Sequence, residues 1–121
     1  MTPYALYVHI PFCLHKCAYC DFNSVAAASV PEKDYVTALL AELDYYAALP
    51  EWRDRPISSI YIGGGTPSLF SPGAIARLLN GVIRTTIVDE LVEITLEANP
   101  GTVTFDRLLG YREAGVNRLS L

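Results

Sequence analysis

Residues 57–83 read ISSIYIGGGTPSLFSPGAIARLLNGVI. The run from Ile57 to Ile62 is rich in β-formers, and Gly63-Gly64-Gly65-Thr66-Pro67 breaks it. Ser71-Pro72 then carries a helix-start signature, a capping hydroxyl followed by a proline in the first turn. Ile75, Leu78, Leu79, Val82 and Ile83 recur at helical spacing and predict one buried stripe. Strand, glycine-rich turn and helix make a single βα unit, and units of the same kind flank it on both sides.

On the N-terminal side, Tyr4 to Ile10 (YALYVHI) is short and apolar, and Pro11 follows it, predicting a buried strand. Residues 23–30 are a loop of small side chains. Ser29 and Glu32 have capping-box spacing, with Pro31 where a first turn tolerates it. Val36, Leu39, Leu40, Leu43 and Ala47 predict an amphipathic helix that stops before Pro50, ahead of the polar loop EWRDRP. On the C-terminal side, Glu93 to Ala98 (EITLEA) predicts a third strand, ended by Asn99-Pro100-Gly101. Thr104 caps a third helix containing Leu108 and Leu109, and Gly115 stops it. Asn117 to Leu121 (NRLSL) reads as a fourth strand.

The order is β-α-β-α-β-α-β. Strands alternating with helices imply an α/β fold with parallel strands joined by right-handed crossovers. A complete eight-unit barrel takes about 250 residues. Residues 1–121 are therefore expected to be the N-terminal part of a larger βα-barrel core domain, without complete activity alone. The rest of the barrel and any further domain would lie outside them.

The net charge is −4, with no basic run, which argues against a nucleic-acid partner held through phosphates. Half of the chain, 51%, is hydrophobic, enough to build a core. Met1-Thr2-Pro3-Tyr4 lacks a basic signal-peptide start, and no apolar run approaches the roughly 18 residues of a membrane span. All three cysteines cluster in HIPFCLHKCAYCDF, residues 9–22. An odd, clustered set without an export signal points to a reducing, cytoplasmic setting and to metal chemistry.

Cys13, Cys17 and Cys20 follow the end of the first strand, the face on which α/β barrels carry their chemistry. Three thiolates can ligate three irons of a [4Fe–4S] cluster and leave the fourth open to a small molecule. Two other readings stand beside this one. His9 or His15 could complete a Cys3His zinc site, although no second knuckle exists in the sequence. The cysteines could also be buried and unliganded, acting as small hydrophobes. The glycine run is either a tight turn or a place where backbone amides approach a ligand, with the Thr66 hydroxyl beside them. Glu97, in an otherwise apolar strand, either faces solvent or has a partner. Tyr7 reads equally as strand packing.

The spacing CxxxCxxC after a first strand is similar to the signature of the radical SAM superfamily. The resemblance runs through YVHIPFC, CAYCDFNS, YIGGGTPS, LEANPGTV and GVNRLSL, essentially the whole chain. It implies that Cys13, Cys17 and Cys20 hold a [4Fe–4S] cluster whose open iron chelates S-adenosylmethionine. It further implies that Tyr19 contacts the adenosine, that Gly64, Gly65 and Thr66 hold the amino group, and that Glu97 and Tyr7 contact the cofactor. In that family one electron from the reduced cluster, delivered by an electron donor, splits the sulfonium to give a 5′-deoxyadenosyl radical. These segments resemble the oxygen-independent coproporphyrinogen III oxidase-like group. Its true dehydrogenases carry a further cysteine two residues after the last ligand, where this chain has Phe22. That departure resembles the HemW-type haem chaperones, which bind haem and deliver it to haem proteins. The alternative is oxidative decarboxylation of coproporphyrinogen III.

Overall fold

A computed structural model describes residues 2–13, 25–26 and 30–121, with the backbone alone at Val25 and Ala26. Six strands and three α-helices occur among them: β1 (Tyr4–Ile10), β2 (Phe12–Cys13), β3 (Val25–Ala26), α1 (Glu32–Ala47), β4 (Pro56–Gly64), α2 (Pro72–Thr85), β5 (Ile87–Glu97), α3 (Phe105–Ala114) and β6 (Arg118–Ser120). Short 3-10 turns at Pro67–Leu69 and Pro100–Thr102 follow β4 and β5. The main sheet has the order β1-β4-β5-β6, and all its pairs are parallel. Consecutive βα units thus lie side by side, as the alternating pattern requires.

One face of the sheet is apolar and packs on the helices. Val8 and Ile10 of β1, Ile57, Ile60 and Ile62 of β4, and Ile94 and Leu96 of β5 are buried. Val36 of α1, the Ile75, Leu78, Leu79 and Val82 stripe of α2, and Tyr111 of α3 complete the core. Alternation along the strands sends Tyr7, Tyr61, Thr95 and Glu97 to the opposite face. Register keeps the rows aligned: Tyr7 pairs with Tyr61, which in turn pairs with Thr95. Among the described residues no helix is long and apolar enough to cross a membrane.

The helix starts follow their capping chemistry. Ser71 Oγ accepts the Ala74 N–H at 3.1 Å, and Thr104 Oγ1 accepts the Arg107 N–H at 3.2 Å. Gly115 ends α3 with φ 121°, a conformation that glycine adopts without strain. At α1 the outcome differs from the expected capping box. Ser29 lies outside the described residues, and the residue preceding the helix, Pro31, makes no side-chain cap. Glu32 turns instead toward α2, where Ser71 offers both an amide and a hydroxyl donor.

Three further departures have physical causes. β5 begins at Ile87 rather than Glu93, because Ile87 and Val88 pair with Pro56 and Ile57 before the register shifts. Residues 89–92 bulge outward there: Asp89 Oδ1 accepts the Leu91 N–H at 2.8 Å, and Leu91 is 92% exposed. Ile83 is exposed at the edge of the α2 stripe, whereas Gly81 is buried against Leu40 of α1. The missing side chain there allows the two helices to approach. Finally, the two-residue strands β2 and β3 pair in parallel, Phe12 with Val25 and Cys13 with Ala26. No run of two residues carries a readable sequence period.

Candidate functional site

The ends of β1, β4, β5 and β6 converge, and backbone hydrogen bonds join the first two directly. The Gly65 N–H donates to the Ile10 carbonyl at 2.8 Å, and the Thr66 N–H to the Phe12 carbonyl at 2.7 Å. The glycine turn is thereby stitched to the segment that leads into the cysteines. Cys13 is buried. A Cβ on Gly65 would lie 2.6 Å from the Phe12 carbonyl oxygen and 2.8 Å from Cys13 Sγ. Gly64 has φ 124°, and a Cβ there would lie 2.7 Å from the Ile10 carbonyl oxygen. Glycine is thus required twice in succession, once for space and once for conformation as well.

Glu97, at the end of β5, reaches across to β4. Its Oε1 accepts the Gly64 N–H at 2.8 Å, and its Oε2 accepts the Tyr61 hydroxyl at 2.8 Å. The reading of Glu97 as a strand carboxylate with a partner is the one the structure supports. The amides of Gly64, Gly65 and Thr66 are all engaged within the protein, so they do not point at a ligand. The Thr66 carbonyl is engaged too, accepting the Leu69 N–H at 3.0 Å, whereas the Thr66 hydroxyl has no hydrogen-bond partner among the described residues.

Below the turn, Ser68 Oγ accepts the Asn99 N–H at 3.1 Å and contacts the Thr102 hydroxyl. Asn99 Oδ1 accepts the Gly101 N–H at 2.9 Å. The carbonyls of Ser68 and Phe70 each accept from both the Arg107 guanidinium and the Tyr111 hydroxyl. This network fixes the loops after β4 and β5 against α3.

A cleft of about 610 Å³ opens between these strand ends, lined by Cys13, Gly64, Gly65, Thr66, Glu97 and Asn99, among others. Five of the nine residues singled out in the sequence therefore share one cavity. Tyr7 does not line it. Its ring is 55% exposed and stacks on Tyr61 at 6.0 Å between centroids, and its hydroxyl lies 2.9 Å from His9 Nδ1. Partial burial, followed by Glu97 and Tyr61, raises its phenol pKa, so it stays protonated across the neutral range. Its link to the cleft runs through Tyr61. Cys17, Tyr19 and Cys20, and with them His15, lie outside the described residues.

The residues in place fit an iron–sulfur cluster with an amino-acid-bearing ligand beside it. A buried thiol stands at the edge of the cleft, and thiolate sulfur is a soft ligand suited to iron. The neighbouring carboxylate and hydroxyl accept hydrogen bonds from an ammonium or a sugar hydroxyl. Sequence reasoning named Gly63 as part of the glycine run but did not single out Tyr61. Tyr61 pairs with Tyr7 and shares its face, one pleat below the glycine turn, a placement that only strand register reveals.

Comparison with known proteins places this geometry. The family model described as the radical SAM superfamily matches residues 7–121. "Heme chaperone HemW" of Haemophilus influenzae is 49% identical over 126 residues, covering all of this chain and 32% of that protein. The Escherichia coli protein of the same name is 50% identical over 122 residues, with the same coverage. The mitochondrial "Radical S-adenosyl methionine domain-containing protein 1" of Bos taurus is 40% identical over 97% of this chain and 26% of its own. The chain thus spans about a third of the length of the curated relatives it matches. Among solved structures, Escherichia coli coproporphyrinogen III oxidase (HemN), described as a radical SAM enzyme, superposes with a TM-score of 0.83. That match is 31% identical and covers 98% of this chain and 27% of the other. The parallel sheet, the place of Cys13 beside the strand ends and the family match agree: the chain belongs to the radical SAM superfamily.

Proposed function

We propose that residues 1–121 are the N-terminal part of the core domain of a haem chaperone of this superfamily. On this reading the whole protein holds a [4Fe–4S] cluster and S-adenosylmethionine, binds haem and delivers it to haem proteins in the cytoplasm. The observation that carries the reading is the 49–50% identity to proteins named heme chaperones, extending over the whole chain.

Within it, Cys13, Cys17 and Cys20 supply thiolates to three irons. Gly64, Gly65 and Thr66 offer carbonyl and hydroxyl acceptors to the methionine amino group, and Glu97 adds a carboxylate beside them. Tyr19 packs on the adenosine, and Tyr7 supports the site through its stack on Tyr61. The cluster and S-adenosylmethionine, when bound, supply one-electron chemistry, with an external electron donor as the source. The chain's own contribution is to position these groups and to exclude water behind the buried Cys13.

Coproporphyrinogen III oxidation is the second reading, favoured by the solved structural relative. Phe22 weighs against it, standing where the resemblance places a further cysteine in the dehydrogenases. The deciding experiment uses the full-length protein reconstituted without oxygen. A reduced-cluster EPR signal that shifts on adding S-adenosylmethionine, together with stoichiometric haem binding, supports the chaperone. The same shift with decarboxylation of coproporphyrinogen III and no haem binding supports the oxidase. Zinc in place of iron overturns both.

A further inference from the structure

We propose that Tyr61 is a positioning residue for Glu97, holding its carboxylate so that the free lone pairs face the cleft. The inference rests on the reading that Glu97 takes S-adenosylmethionine. A carboxylate has about four acceptor sites on two oxygens. Here one donor binds each oxygen, Gly64 N–H on Oε1 and Tyr61 Oη on Oε2, both at 2.8 Å. Two donors on opposite oxygens remove the rotation that a carboxylate at the end of a strand otherwise keeps. One acceptor site on each oxygen is left for a ligand.

The phenol is itself fixed. Tyr61 pairs with Thr95, and Ile62 with Leu96, so Tyr61 stands one pleat below the level of Glu97 and reaches up to it. Tyr7 stacks on the ring with an interplanar angle of 21°. Gly63 completes the fit. A Cβ there would lie 2.8 Å from Glu97 Oε1 and 2.8 Å from Tyr61 Cε1. Tyr61 does not line the cleft, so it acts through Glu97 and not on the ligand.

The test is a double-mutant cycle on the full-length, reconstituted protein, read as S-adenosylmethionine binding from the shift of the reduced-cluster EPR signal. Tyr61→Phe keeps the ring and removes only the hydroxyl. It is expected to weaken binding about tenfold, the scale of one hydrogen bond to a carboxylate. Iron content and the EPR signal without S-adenosylmethionine are expected to stay unchanged. In a Glu97→Gln background, Tyr61→Phe is expected to add no further loss. If Glu97→Gln itself leaves binding unchanged, the underlying reading of Glu97 fails. If Glu97→Gln weakens binding but Tyr61→Phe does not, or if the two losses add independently, the positioning role is overturned. Loss of iron in Tyr61→Phe would likewise overturn it, marking Tyr61 as general scaffolding.

Discussion

Glu32, at the start of α1, caps α2: its Oε1 accepts the Ser71 N–H at 2.9 Å and its Oε2 the Ser71 hydroxyl at 2.6 Å. Ser71 Oγ in turn accepts the Ala74 N–H, so one carboxylate organises the first turn of the neighbouring helix. A negative charge at a helix N-terminus is also favoured by the helix dipole. Glu32→Ala is expected to destabilise the fold by about 1–3 kcal/mol, the range for hydrogen bonds to a charged group. Ser71→Ala should cost about 1 kcal/mol as a lost cap. Chemical denaturation of the two variants and their combination should show losses that are clearly less than additive. Simple additivity would mean that Glu32 and Ser71 act independently.

Gly65→Ala tests the join between the glycine turn and the cysteine segment. The added methyl meets a backbone carbonyl at 2.6 Å and Cys13 Sγ at 2.8 Å, and neither is the free end of a flexible side chain. Overpacking of this kind costs about 1–3 kcal/mol. Because Cys13 must move, iron bound per chain is expected to fall by more than the loss of stability alone explains. Iron analysis beside a melting curve checks this; full iron loading in a destabilised variant would dissociate the turn from the metal site.

The three cysteines are expected to be needed together. Cys13→Ser, Cys17→Ala and Cys20→Ala should each abolish a stable [4Fe–4S] cluster, read as the loss of its absorbance and of its EPR signal. Retention of the cluster in Cys17→Ala would count against the assignment. Zinc retained in place of iron would count for the Cys3His alternative.

Tyr111 predicts the behaviour of the fold in alkali. Burial, offset in part by Arg107, raises its phenol pKa above the ordinary 10.0. Its folded pKa exceeds its unfolded one, so its contribution is complete below pH 10 and is lost as the pH climbs through the folded value. Burial raises Tyr4 and Tyr35 in the same direction. Stability is therefore expected to fall steeply above pH 10. Tyr111→Phe should cost about 1–2 kcal/mol at neutral pH through its lost hydrogen bonds, and the alkaline slope should flatten. An unchanged slope would place the alkaline sensitivity elsewhere.

Much of the fold is legible because each βα unit carries its own local signals. Ser71, Thr104 and Gly115 act where the sequence places them, and the stripe from Ile75 to Val82 faces the core. What escapes is decided at a distance. The first residues of β5 include Asp89 and Glu90 and lack alternation, and only pairing with Pro56 and Ile57 makes a strand there. Glu32 has the spacing of a local cap, but a better donor set lies 39 residues away. At the site, Glu97, Cys13 and the glycine turn were readable from residue type and position. Tyr61 was not, because its role appears only when register sets β4 beside β5.

The spent amides of the glycine turn also decide what the cleft turns away. Gly64, Gly65 and Thr66 give their N–H groups to Glu97, Ile10 and Phe12, and Pro67 has none to give. Glycine-rich turns commonly cradle anions by pointing such groups outward. Here a triphosphate tail would meet the Glu97 carboxylate and no free amide of the turn. If the cleft takes S-adenosylmethionine, whose methionine end carries an ammonium as well as a carboxylate, ATP, whose tail carries only negative charge, is expected not to compete in a binding assay. On the proposed reading, the same turn that leaves Glu97 to meet an ammonium leaves no backbone donor to meet a phosphate.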